Sequence, residues 1–202
     1  MATLNGSSFE LVQNLRGKYN EENEITGGDN SFIQILEGRN LDDVVIGGDN
    51  VINQTIIGGN GEDSLTGGNF VVNQRINGNN DNDLVVGGDD VTNQRIYGDK
   101  GDDTIVGGEN SFFQQLSGGS GNDSFFVGTG ETVRVFGGSG NDTIRGADGE
   151  SNIWGQEGND FIYDSDIVAD YIDGGADSDT VTFERSENED GYFLIQSPDG
   201  VT

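Results

Sequence analysis

A short repeat governs this chain: from about residue 6 to residue 182, two kinds of glycine-rich unit alternate without interruption. The A units are nine residues long, as in GGNGEDSLT at 58–66, and the early B units have eleven, as in GGDNVINQTII at 47–57. Later B units shorten to nine or ten residues, so a pair of units spans 20 residues early and 18 or 19 late. Repeats this short cannot each bury a core alone, and they therefore predict a solenoid of stacked coils.

The penultimate residue of every unit is large and apolar, which indicates that each unit buries one side chain in a continuous core. In the A units these residues are Ile25, Val45, Leu65, Val85, Ile105, Phe125, Ile144, Ile162 and Val181. In the B units they are Leu15, Leu36, Ile56, Ile76, Ile96, Leu116, Val135, Ile153 and Ile172. Parallel strands stacked about 4.8 Å apart would make about nine coils into a rod on the order of 43 Å long. We therefore expect an all-β fold, a parallel β-roll or β-helix solenoid of two-sided coils, over residues 1–182.

Residues 183–202 depart from the repeat and predict a short C-terminal cap. They contain an apolar stretch, YFLIQ at 192–196, followed by the turn signal SPDG at 197–200. The chain ends before a return strand, and no cap precedes the half-coil at 6–16. We therefore expect this sequence to be a fragment of a longer protein.

Composition excludes several classes of function. The formal charge of −28, with only nine Lys and Arg, argues against nucleic acid as a partner. There is no Cys and no His, so disulfides, thiolate metal sites and the usual nucleophile–base pairs are excluded. No apolar run is long enough to span a membrane. No phosphate-binding or dinucleotide motif occurs either, and we expect the chain not to be an enzyme.

Aspartate occupies one register of the A units, two residues before the buried apolar residue. It is absent only from the first A unit, where Asn23 takes its place. Carboxylates stacked about 4.8 Å apart repel each other by about 0.9 kcal/mol in water and about 3.5 kcal/mol at an effective dielectric of 20. Turn chemistry also favours aspartate, but it does not hold one residue type at one register through eight units. The column therefore predicts a cation site, and calcium fits it better than magnesium because calcium accepts six to eight oxygens in flexible geometry. The predicted ligands are Asp43, Asp63, Asp83, Asp103, Asp123, Asp142, Asp160 and Asp179.

GGSGNDTIR at 137–145, GQEGNDFIY at 155–163 and GGSGNDSFF at 118–126 resemble the GGxGxDxUx nonapeptide of RTX proteins, which form calcium-binding parallel β-rolls. The resemblance extends over roughly residues 17–182 and is weaker in the N-terminal half, where only the A units keep the motif. It implies about seven calcium ions between adjacent A-unit turns. It also implies a secreted bacterial protein, exported by a type I-like route with its signal outside this fragment, that folds and rigidifies on calcium. The backbone carbonyls implied as further ligands lie around Gly38, Asn40, Gly58, Asn60, Gly78, Asn80, Gly98, Lys100, Gly118, Ser120, Gly137, Ser139, Gly155 and Glu157.

In the B units the same register carries glutamine instead. The column reads Gln13, Gln34, Gln54, Gln74, Gln94 and Gln114, then Val133, Ser151 and Asp170. Stacked amides can bond to one another along the axis, so we expect a glutamine ladder rather than calcium over residues 11–117. The alternative is that these side chains contact a ligand, but they share parity with the buried residues and should face inward.

Two other groups of acids are left out of the predicted metal site. Asp164, Asp166 and Asp170 suggest an EF-hand loop but lack its central glycine and terminal glutamate. The B-unit turns carry acids that are either weak cation sites or, as we prefer, solvated turn residues, in a row that Asn69 interrupts. These acids are Asp29, Asp49, Asp89, Asp90 and Glu109.

The outward-facing positions leave a second function open. The outer positions of the A units form a flat, rather apolar face, explained either by an interaction surface or by ordinary β propensity. A face of this kind is compatible with binding of a polysaccharide (alginate-like) or of ice, or with docking of another module of the parent protein. The rows of side chains are too mixed in type to favour ice. Arg75, Arg95 and Arg134 on the B face could contact an anionic sugar chain, but pairing with nearby acids is the interpretation we prefer. The A-face residues are Val44, Ile46, Thr66, Leu84, Val86, Thr104, Val106, Phe126, Thr143, Phe161 and Tyr163.

Overall fold

A computed structural model describes residues 1–146, 150–164, 171–183 and 194–195. In this part of the chain, two ten-stranded parallel sheets face each other, and the chain alternates between them. The odd sheet contains β1 (Ala2–Asn5), β3 (Asn23–Thr26), β5 (Val44–Ile46), β7 (Ser64–Thr66), β9 (Leu84–Val86), β11 (Thr104–Val106), β13 (Ser124–Phe126), β15 (Thr143–Arg145), β17 (Phe161–Asp164) and β19 (Thr180–Phe183). The even sheet contains β2 (Val12–Arg16), β4 (Ile33–Asn40), β6 (Asn53–Asn60), β8 (Asn73–Asn80), β10 (Asn93–Lys100), β12 (Ser111–Ser120), β14 (Gly130–Ser139), β16 (Ser151–Glu157), β18 (Tyr171–Ala176) and β20 (Leu194–Ile195). The predicted two-sided parallel solenoid is confirmed.

Each strand pairs with the strand one coil away, in the register of the repeat. Ile56 lies opposite Leu36 and Ile76, and Leu65 lies opposite Val45 and Val85. The even strands are longer than the units suggest, because the first residues of the following A unit stay extended: β6 runs through Gly58 and Gly59 to Asn60. The turn that follows then leads into a three-residue odd strand.

The penultimate apolar residues form one core between the sheets, as the register predicts. Sixteen of the eighteen are buried, and Leu15 and Val181 pack against the core from its two ends. Leu4 on β1 adds a rung before the first unit identified from the sequence, because it pairs with Ile25. A second, smaller cluster of Val51, Val71 and Val91 fills the B-unit turns.

The predicted cap lies outside the described residues except at β20, which pairs in parallel with β18 and so continues the even sheet. No helix in the described residues has the length and hydrophobicity needed to cross a membrane.

Candidate metal centre

The predicted aspartates lie in one column along the turns that lead from the even sheet into the odd sheet. Seven of them are buried, and Asp179 at the end of the column is partly exposed. The backbone N–H of each residue donates to Oδ1 of the aspartate in the next coil, as from Asp63 to Asp83 at 2.8 Å. The same bond recurs from Asn23 through Asp160, with lengths of 2.6–3.0 Å. One oxygen of each carboxylate is therefore satisfied by the stack itself.

The second oxygen of each buried carboxylate has no such partner. Oδ2 is buried without a hydrogen bond in Asp43, Asp63, Asp83, Asp103, Asp123, Asp142 and Asp160. A buried oxygen of this kind costs about 1–3 kcal/mol, and more when it is charged. Burial is also the main cause that raises the pKa of these carboxyls above the ordinary 3.8. The pKa rises to about 8 for Asp83 and to about 7 for Asp63, Asp123 and Asp142, to about 6 for Asp103 and Asp160, and upward for Asp43.

Each orphaned oxygen lies against the first glycine of its own turn and faces the carbonyl of the next coil. A Cβ added to Gly58 would lie 2.3 Å from Oδ2 of Asp63 and 2.9 Å from the carbonyl oxygen of Gly78. The missing side chain thus leaves a cradle in which a carboxylate oxygen and a carbonyl oxygen converge. The same arrangement recurs around Gly38, Gly78, Gly98, Gly118, Gly137 and Gly155.

Asn23 shows what kind of group this cradle accepts. Its Nδ2 lies against Gly17 and faces the carbonyl of Gly38, in the place that Oδ2 takes in later coils. This nitrogen donates to Oδ1 of Asp43 and the carbonyl of Glu21 at 2.8 Å each, and approaches the carbonyls of Lys18 and Gly38 at 3.3 and 3.4 Å. A positively polarised group therefore finds four oxygens there, whereas a carboxylate oxygen in the same place finds no donor.

The donor set fits calcium. Within the described ranges, no three acidic side chains gather around one point, so a cation here would be held by carboxylate together with backbone oxygens, a combination that calcium accepts readily. The first-position carbonyls, such as that of Gly78, face the orphaned oxygens. Among the third-position carbonyls, those of Ser120, Ser139 and Glu157 accept a backbone N–H from the preceding coil, and their role as ligands stays a prediction.

The B units contain the glutamine ladder that their sequence predicts. Nε2 of Gln74 donates to Oε1 of Gln54 at 3.0 Å and to the carbonyl of Gly68 at 2.8 Å, while Oε1 of Gln74 accepts the N–H of Gly88. Equivalent amide-to-amide bonds join the column from Gln13 to Gln114 at 2.9–3.1 Å. All six glutamines are buried and do not face a ligand in solvent. The stack satisfies their amide oxygens except Oε1 of Gln114, the last of the ladder, which is buried without a hydrogen bond.

Several of the other turn acids accept hydrogen bonds from a neighbouring coil in exposed ladders. Oδ1 of Asp29 accepts the N–H of Asp49, whose own Oδ1 accepts the N–H of Asn69. Asn69 is the neutral residue in this row of acids, and its amide oxygen accepts the N–H of Asp89 at 2.8 Å, so the hydrogen-bond ladder continues through it. Of the EF-hand-like acids, Asp166 and Asp170 lie outside the described residues, and Asp164 is buried at the end of β17.

Arg75, Arg95 and Arg134 on the B face pair with no acid among the described residues. In the described part of the chain, ion pairs are formed by Arg16 and Arg39, both with Glu37, and by Lys18 with Glu21. Arg75 instead lies over the ring of Tyr97. The guanidinium groups of Arg95 and Arg134 both lie over the ring of Phe113. Among the described residues, the preferred interpretation that these three arginines pair with acids is therefore wrong. The repeat did not indicate that they lie over aromatic rings instead.

The odd sheet's outer face is apolar in part, as predicted. Val44, Ile46, Leu84, Phe126 and Phe161 are exposed there.

Comparison with known families matches the model described as RTX calcium-binding nonapeptide repeat (4 copies), at residues 53–69, 73–91, 92–111, 115–132, 136–163 and 169–185. The matches cover more than half of the chain. They begin after the coils of Asn23 and Asp43, although these coils keep the same register. No curated protein matches the chain.

Proposed function

The chain belongs to the RTX calcium-binding nonapeptide repeat family, and from this premise we propose that its calcium ions lie along the aspartate column and that their binding drives folding of the roll. The chain is a calcium-binding repeat module built as a β-solenoid. Its proposed role is structural rather than catalytic.

One observation carries the placement: seven buried Oδ2 atoms without a donor, each facing a glycine carbonyl of the next coil. Calcium supplies the positive charge that such a set of oxygens needs. Asp43, Asp63, Asp83, Asp103, Asp123, Asp142 and Asp160 would hold the ions with those carbonyls, and Asp179 would close the column. About seven ions would remove about half of the formal charge of −28.

The same charges make folding depend on calcium. Without cations the roll must bury a row of carboxylates, and self-repulsion in so acidic a chain favours extended states. Ligand binding to the folded state alone then stabilises the roll by mass action. RTX repeats typically belong to secreted bacterial proteins, so this chain would stay extended in a cytoplasm low in calcium and fold after export. The glutamine-laddered B side, which needs no ion, would be the part that retains some order.

A calcium titration followed by far-ultraviolet circular dichroism tests the proposal. In chelator the spectrum should be mainly disordered, and calcium should convert it to β structure while magnesium at the same concentration does so far less. Trp154, the single tryptophan, reports on the even sheet by fluorescence in the same titration. A chain already rich in β structure in chelator would refute folding on calcium, and a chain that binds no calcium would refute the placement as well.

A further inference from the structure

Two arginines converge on one aromatic ring on the outer face of the even sheet. Arg95 and Arg134 are two coils apart in one column, with Gln115 between them. Their guanidinium carbons lie 5.7 and 5.4 Å from the centroid of the Phe113 ring, which stands beside Gln115 in the intermediate coil. The Phe113 ring thus has a positive charge within about 6 Å from each of the two flanking coils.

No acid in the described residues fills that role. Arg95 and Arg134 form no ion pair, and Arg75, one coil before Arg95, donates to Oδ1 of Asn77 at 3.0 Å rather than to a carboxylate. Two acids in the neighbouring columns have other partners: Asp99 accepts from Asn77, and Asp173 accepts from the hydroxyl of Tyr171. The three arginines therefore form a small positively charged patch on a chain whose formal charge is −28. None of them has a carboxylate partner among the described residues.

An aromatic ridge continues this surface toward the C-terminal coils. Phe136 and Trp154 stack with centroids 4.8 Å apart and an interplanar angle of 6°, and Trp154 contacts Tyr171 at 5.6 Å. All three side chains are partly exposed. From Arg75 to Tyr171 the surface extends over six even strands, or roughly 24 Å at the spacing of parallel strands.

We propose that this face binds a linear acidic polysaccharide, with uronate carboxylates on the arginines and the apolar faces of the sugar rings along the aromatic ridge. Guanidinium groups bind carboxylates through paired, charge-assisted hydrogen bonds. The rings already hold the guanidinium groups in place, which lowers the entropic cost of binding. Charges more than about 8 Å away are largely screened at physiological ionic strength, so the acidic turns at the edges of the roll do not prevent contact at the centre of the face. This binding function goes beyond the calcium module and requires only that the even sheet be folded.

The test uses the calcium-saturated full chain and short mannuronate oligosaccharides, with mannose oligosaccharides of the same linkage and length as the neutral comparison. Isothermal titration should show binding of the uronate and weaker or undetectable binding of the neutral sugar. Arg95→Gln with Arg134→Gln should weaken uronate binding roughly tenfold or more, as expected for the loss of charge-assisted hydrogen bonds.

The matched control is Arg16→Gln with Arg39→Gln, because these arginines lie in the N-terminal coils of the same roll and both pair with Glu37. The Kd of the control for the uronate should stay within about twofold of the Kd of the unmodified chain. This is well below the tenfold change, or about 1.4 kcal/mol, expected of the Arg95 and Arg134 variant. Dichroism and the calcium count of each sample separate loss of this surface from failure of the calcium-dependent fold. No uronate binding by the folded chain, equal binding of the neutral sugar, or an equal loss in the control would overturn the proposal. Should the double variant not fold, the comparison of the two sugars on the unmodified chain decides alone.

Discussion

Nδ2 of Asn23 and Oδ2 of Asp43 occupy equivalent positions in successive coils, each against the first glycine of its own turn and facing the glycine carbonyl of the next. The nitrogen is satisfied there by oxygens, and the carboxylate oxygen is not. The first of these coils thus satisfies with a neutral amide the position that, in the later coils, holds a carboxylate oxygen without a hydrogen-bond donor.

Asp103→Asn should therefore convert one cation position into a copy of Asn23. The new amide would keep the acceptor for the N–H of Asp83 and would add a donor toward the carbonyl of Gly118. We expect the calcium-free roll to gain about 1–3 kcal/mol, the cost of the oxygen now satisfied, and the chain to bind about one calcium ion fewer. The β structure that remains in chelator, followed by circular dichroism, measures the first effect and should increase. Metal analysis after gel filtration measures the second.

Asp102→Asn is the matched control, since it removes the same charge from the neighbouring residue. Asp102 is exposed, and its Oδ1 acts only as a hydrogen-bond acceptor from Asn122. An amide oxygen can do the same. Its calcium count should not change. Equal losses of calcium from the two variants would show that total charge, and not the buried column, holds the ions.

The pH dependence of the calcium-free roll follows from the raised pKa values of the column. Because burial raises the pKa of Asp63 to about 7 and of Asp83 to about 8, the folded state binds more protons than the unfolded state between pH 4 and these values. The stabilising contribution is complete below the ordinary pKa and is lost as the pH rises through about 6 to 8. The fraction of β structure in chelator, measured by circular dichroism, should therefore be larger at pH 5.5 than at pH 8, a window in which ordinary carboxylates stay ionised.

In the presence of calcium, the stability of the roll should instead rise with pH, because protons and calcium compete for the same oxygens. Calcium affinity should rise from pH 5.5 to pH 8. A fraction of β structure in chelator that does not change over this window, together with a calcium affinity independent of pH, would contradict the burial of the carboxylates.

Gln74→Glu tests the B side. The substitution replaces the Nε2 donor between Gln54 and the carbonyl of Gly68 with an oxygen and adds a buried charge. Leaving such a charge uncompensated costs about 3–5 kcal/mol, and we expect the thermal midpoint in saturating calcium to fall accordingly. Gln115→Glu adds the same charge to the outer face, between Arg95 and Arg134, and should leave the midpoint unchanged or slightly higher. Equal midpoints for the two variants would mean that the ladder contributes little.

The fold was predictable because burial imposes one requirement on every coil. A residue such as Ile56 must be apolar wherever it recurs, so the period, the two sheets and the core could be read from spacing. The columns that begin at Asp43 and Gln13 were predictable for the same reason, since they share the parity of the core. The site itself was only half predictable: the sequence indicates the carboxylates, but not that Oδ1 is already satisfied by the neighbouring coil and only Oδ2 is left.

The outer surface was not predictable in the same way. Solvent imposes no single requirement on Arg95 or Arg134, so the sequence does not indicate whether a guanidinium pairs with an acid or lies over a ring. Similarly, Asn69 interrupts a row of negative charges but not the row of hydrogen bonds, because the exposed ladder needs only a side-chain oxygen and its amide supplies one.

The most direct test of the account is a crystal structure of the calcium-bound chain, with the ions located by anomalous scattering. The account predicts a single line of about seven peaks beside the Oδ2 atoms of the aspartate column, and none along the glutamine ladder. Peaks at exposed acids such as Asp42 and Asp102, with none beside Asp63, Asp83 and Asp103, would contradict it.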